Sequence, residues 1–191
     1  MQYFYQGFWI FIGIVAGIAV NFFTQKIINW RNEKNIIKNF EFEIDFNIKK
    51  INKFLEYLRE FRDCINGDVL DKFAKYFDLS KAVFNTTNMM LFSGLLYKYL
   101  SNKNVENILS MISQFTIFWE NLINGDINQF MNNFKYDKDN ESKRTLSSPA
   151  IYIKYYSKVE ATNKTTYWEN FFKGHKENLL EIQHELKGSK K

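Results

Sequence analysis

No charged side chain occurs before Lys26, and the stretch GFWIFIGIVAGIAVNFF, Gly7 to Phe23, is apolar or aromatic apart from its glycines and Asn21. A run of about 20 such residues either crosses a bilayer as one helix or is covered on every side inside a protein core. A secretory leader opens on basic residues and closes at a small-x-small cleavage site. This segment has no basic residue and stays apolar through Phe23. It therefore reads as a transmembrane helix over residues 1–25, with Tyr3, Tyr5 and Trp9 at one interface and Lys26, Arg31, Lys34 and Lys38 beyond the other. The positive-inside rule then puts the N terminus outside a bacterial inner membrane and the C-terminal bulk in the cytoplasm.

The exceptions to hydrophobicity are ordered. Gln6, Gly13, Gly17, Asn21 and Thr24 follow one another at spacings of seven, four, four and three, which puts them on one helical face. Gly13 to Gly17 is also a G-x-x-x-G, a spacing that lets two membrane helices approach closely. A helix alone in lipid gains nothing by collecting polar groups on one side. Lipid is expected to meet the Phe and Ile side, and the stripe to meet another helix or water. No second stretch is long enough to span, so the expected partner is another copy of the chain, with the stripe as a packing seam in a small oligomer or a pore lining in a larger ring.

Beyond the span a seven-residue repeat takes over. Trp30, Ile37, Ile44, Ile51, Leu58 and Ile65 recur in register, with Phe40, Phe54 and Phe61 three positions after members of the series. This predicts one long helix from the membrane to about residue 65, its seam (Trp30, Ile37, Ile44, Ile51, Leu58) facing an oligomer partner or a bundle. Ile36, Phe42, Phe46, Ile48 and Leu55 widen the apolar surface, which favours a bundle. Asn66-Gly67 is the expected stop, and Asp68 the expected cap of the next helix. The same Asn-Gly-Asp returns at Asn124-Gly125-Asp126 and predicts a second stop there.

One proline and eight glycines in 191 residues leave few helix breaks, so the fold class is all-α: a transmembrane helix continuing into a long cytoplasmic helix packed in a helical bundle. The bundle covers residues 26–135. A short helix is expected around Val69 to Phe77, another interrupted near Ser93-Gly94, and a longer one capped by Ser101 and carrying Val105, Ile108, Leu109, Ile112, Phe115, Trp119 and Leu122. Residues 136–150 read as a polar loop and 151–191 as a C-terminal helical segment, whose last clear helix starts at a Thr166–Glu169 capping box. Abundant Asn resembles the product of an AT-rich genome, so individual asparagines, and the three glycosylation-like triplets they create, carry no weight.

Chemistry is sparsely signalled. Cys64 is the only cysteine, which excludes an internal disulfide and a cysteine-based zinc site. His175 and His184 lie nine residues apart without metal-ligand spacing, and no P-loop, G-x-S-x-G or dinucleotide glycine pattern occurs. No cofactor, metal or nucleic-acid-binding motif is expected, and the net charge of +5 fits solvated helix faces as well as an anionic surface. Helical HEPN-type nucleases place an Arg four to six residues before a His. Here Asn170 stands where that Arg is needed before His175, which argues against an enzyme.

Gly7 to Phe23, the helix running to Ile65, and the aromatic helix from Trp168 to His175 together resemble the small membrane accessory protein of type VI-B CRISPR systems. The resemblance implies a HEPN-like helical domain, homo-oligomerisation in the membrane, and pore formation or depolarisation that strengthens RNA-guided antiphage defence, with the RNA-guided effector complex as a partner. The alternative is a membrane-tethered scaffold that recruits a soluble partner, with a HEPN-type RNase as the more distant one.

Overall fold

The computed structural model describes the backbone of residues 2–141 and 150–188 and the side chains of residues 15–135 and 158–188. Among the described residues there are six α-helices, two 3-10 turns (Leu70–Lys72 and Leu79–Lys81) and no strand. The helices are α1 (Gln2–Asn66), α2 (Asn85–Phe92), α3 (Leu95–Tyr99), α4 (Asn102–Gln114), α5 (Ile117–Glu141) and α6 (Ala150–Gly188). By internal packing the chain divides into two compact units, Met1–Glu41 and Phe42–Lys191.

The all-α expectation and the single long first helix both hold. In the second unit the heptad positions Ile44, Ile51, Leu58 and Ile65 are buried, as are Phe54 and Phe61. Each such side chain taken from water contributes roughly 1.5–3 kcal/mol. Phe54 lies 5.1 Å from Phe172 of α6 and 5.5 Å from Phe77, so the seam is the core of the chain's own bundle. Trp30 departs from the expected seam: it is 60% exposed, and Ile37 is half-buried. The seven-residue repeat marks one side of α1, and at Trp30 that side is mostly exposed.

Asn66 does end α1, with the Gly67 N–H donating to the Asp63 carbonyl and the Val69 N–H to the Cys64 carbonyl. Asp68 caps nothing. It takes the left-handed conformation (φ 56°) that leads the chain away, and its carboxylate pairs with Lys158. Residues 67–84 then form two 3-10 turns joined by extended backbone in place of the expected short helix. The break at Ser93-Gly94 occurs as expected, with Gly94 at φ 73°.

Backbone polar groups that leave helical geometry need other partners. Four buried side chains supply them. Asn47 accepts from the Val83 N–H at 2.9 Å and donates to its carbonyl at 2.7 Å. Asn124 clamps Phe77 in the same two-way manner, at 3.0 and 2.6 Å. The Glu43 carboxylate accepts from the Thr86 and Thr87 N–H groups at 2.7 and 2.9 Å and from the Thr87 hydroxyl, satisfying the open start of α2. Glu120 accepts from the Ser80 N–H at 3.0 Å and the Tyr76 hydroxyl at 2.9 Å, and this bond pushes the Tyr76 phenol pKa upward.

Three expected boundaries are overturned. Asn124-Gly125 lies inside α5, so the second Asn-Gly-Asp is no stop. The helix expected to run through Phe115 breaks there instead, between α4 and α5, and Leu109 and Leu122 are left partly exposed. Thr166 is no cap: α6 already runs from Ala150, and the Thr166 hydroxyl donates back to the Thr162 carbonyl. Ser101 occupies the N-cap position of α4, but its hydroxyl bonds Glu185 and not its own helix. α5 extends to Glu141, into the expected polar loop, whose residues 142–149 lie outside the described ones.

Candidate functional site

Among the described residues no helix is long and apolar enough to cross a membrane. The side chains of the first half of the apolar run, Gln6 and Gly13 among them, lie outside the described residues. The rest of the run is unusual for its exposure. Every residue from Val15 to Asn32 is exposed, including Ile18, Val20, Phe22, Phe23, Ile27 and Ile28. Of the stripe, Gly17, Asn21 and Thr24 fall within this stretch and are all exposed. A methyl group added at Gly17 would meet no atom within 4 Å. The described part of the stripe, Gly17, Asn21 and Thr24, is thus exposed, while the seam residues Ile44, Ile51 and Leu58 are buried inside the bundle.

In the second unit a groove of about 630 Å³ runs between α1 and α6, lined among others by Leu55, Arg59, Arg62, Glu169, Lys173 and Lys176. Glu169 takes both Lys173, at 2.7 Å, and Arg62. The Lys173 ammonium first and the Arg62 guanidinium second hold its carboxyl below the usual range, against the opposing effect of burial. A carboxylate so paired is a poor proton acceptor near neutral pH. Sequence reasoning missed this groove, because residues more than a hundred positions apart form it and neither helix carries a motif.

His175, the residue of the HEPN comparison, is buried and packed edge-on to Phe171 and Phe115, with ring centroids 4.6 and 5.4 Å away. Its Nε2 lies 2.6 Å from the Gln114 Oε1, and Nδ1 is buried without a partner. Nε2 therefore carries the proton and donates it. Burial pulls the His175 pKa down to about 4, so the folded protein holds it neutral. His184 is exposed on α6. Among the described residues no group of three or more His, Cys, Asp or Glu side chains could hold a metal ion.

The His175 shift has a signed consequence. The unfolded chain binds this proton near pH 6.5 and the folded chain only near pH 4, so the favourable term is complete above pH 6.5 and lost as pH falls toward 4. About 3 kcal/mol of stability is expected to disappear across that window. Urea denaturation at pH 7 and pH 4.5 is expected to show a steeper acid loss for the native chain than for His175→Phe. Equal slopes would show that the ring does not titrate as described.

No family model, curated protein or solved structure matches the chain.

Proposed function

We propose that the chain is a membrane-anchored protein that self-associates through α1 and, once assembled, opens or depolarises the membrane. Its N terminus lies outside a bacterial inner membrane and its helical domain inside. The setting is the one implied by the likeness to type VI-B CRISPR accessory proteins, reinforcement of an RNA-guided antiphage response, and no catalytic step is involved. The observation that carries the reading is the exposure of every residue of α1 from Val15 to the end of the apolar run at Phe23. Such a surface is stable against lipid or other chains and unstable in water. Gly17, Asn21 and Thr24 give it one small and polar side suited to close helix contact.

A second reading, a membrane-tethered scaffold, is favoured by the groove between α1 and α6, whose walls carry both charge signs and suit a soluble partner. One experiment separates the two. A Cβ added at Gly17 meets no atom within 4 Å and Asn21 is exposed, so Gly17→Leu with Asn21→Leu leaves the buried core of the chain untouched. In proteoliposomes the native chain is expected to pass potassium and to run as an oligomer in detergent. The double variant is expected to stay inserted and lose at least about tenfold of the flux, the cost of a few displaced helix contacts. Flux that survives the change would overturn the stripe as the assembling face, and insertion without any flux in the native chain would overturn the pore reading in favour of the scaffold.

A further inference from the structure

Between Ile27 and Phe40 the residues with reduced exposure are Glu33, Ile36, Ile37 and Phe40. Their spacing of three, one and three is that of one helical side. Arg31, Lys34 and Lys38 are spaced by three and four on the other side, all exposed, and Lys26 precedes them. Glu33 is the only acidic residue from Lys26 to Lys38, so the acid and the three later cations occupy different sides of the helix. Trp30, on the heptad side with Ile37, borders this cationic face: it is 60% exposed, with the Lys34 ammonium one turn on lying 5.3 Å from the centre of its ring. Trp168, by contrast, is fully buried.

A large exposed indole beside a row of cations, placed directly after an exposed apolar helix, matches the layering of a bilayer surface. The indole suits the boundary between chains and headgroups, and the cations suit the headgroup phosphates just beyond it. We propose that Trp30, Arg31, Lys34 and Lys38 form a collar that holds the phosphates of anionic lipid headgroups in the leaflet facing the helical domain. This rests on the membrane reading above and adds the lipid class to it. The occupant is a phospholipid in the membrane and not a free anion, because the cations gain their advantage from the negative leaflet surface and the indole from the adjacent hydrocarbon.

The test is lipid retention by the full chain. Protein extracted in mild detergent from vesicles of equal phosphatidylglycerol and phosphatidylcholine is expected to keep phosphatidylglycerol in preference by at least about tenfold, since each headgroup-level cation favours the anionic lipid roughly fivefold. The variant Arg31→Gln, Lys34→Gln, Lys38→Gln is expected to fall to near parity while remaining in the membrane after a carbonate wash. Lys49→Gln with Lys53→Gln, an exposed pair further along α1, is expected to leave the preference unchanged. A native chain that stays embedded yet shows no preference overturns the collar alone. A preference abolished by about 50 mM inorganic phosphate but kept in sodium chloride of the same ionic strength overturns it in favour of a free-anion site. A chain that washes off the vesicles overturns the membrane reading and the collar together.

Discussion

Phe172→Ala is expected to lower the unfolding free energy of the helical domain by about 4 kcal/mol in urea, with little change in the denaturant slope. The ring is completely buried. It stacks against Phe77 at 6.0 Å and lies 5.1 Å from Phe54, 5.2 Å from Phe171 and 6.3 Å from Phe115. One side chain of α6 therefore joins α1, the irregular segment at Phe77 and the α4–α5 junction. Its removal leaves a cavity bounded by four other aromatic rings, which are too stiff to collapse into it. A loss below about 1.5 kcal/mol would mean that the cluster repacks and is not the centre of the fold.

Asn124→Leu is expected to cost about 3 kcal/mol, since it strips partners from two buried backbone groups at Phe77, each worth roughly 1–3 kcal/mol when left unpaired. Asn128→Leu, an exposed position one turn further along α5, should change stability by no more than about 0.5 kcal/mol. Hydrogen exchange gives the sharper check: the Phe77 amide should lose protection in Asn124→Leu and keep it in Asn128→Leu. Unchanged protection would show that the clamp is not what holds the segment.

These two substitutions mark the boundary of what could be read from the chain alone. The Phe54 and Phe61 positions that meet the aromatic cluster and its surroundings were visible as a heptad, because helical periodicity is a local property of the sequence. Asn124 was not visible. In a chain rich in asparagine nothing local distinguishes it from Asn128, and its role depends on Phe77, 47 positions away. Asn47, Glu43 and Glu120 were hidden for the same reason.

The paired Asn-Gly-Asp sequences show the limit most directly. At Asn66 the helix stops and at Asn124 it continues, although the three residues are identical. Local propensity differs little between them. In the second copy Asn124 is drawn inward by Phe77, and Gly125 has open space around it, so the helix bears the glycine at a cost of about 1 kcal/mol. The Thr166–Glu169 spacing misled in a related way. Glu169 is committed to Lys173 and Arg62, and α6 had begun well before it.

The candidate site divides along the same line. The stripe of Gly17, Asn21 and Thr24 was legible as spacing, and Arg31, Lys34 and Lys38 as a basic cluster beyond the apolar run. Which side of α1 stays open at Phe42 depended on where the other helices of its unit pack. Phe42, expected to widen the bundle face, is 72% exposed.

By itself the sequence determined the helical class, the uninterrupted first helix and its heptad side, because these follow from periodicity and the scarcity of breakers within one segment. Only the tertiary structure decided that Ile44, Ile51 and Leu58 serve an internal core and Trp30 does not, that four buried polar side chains fasten residues 76–87, and that His175 is sealed neutral among aromatic rings. Those outcomes depend on which distant groups desolvate one another, and that balance exists only once the chain has closed on itself.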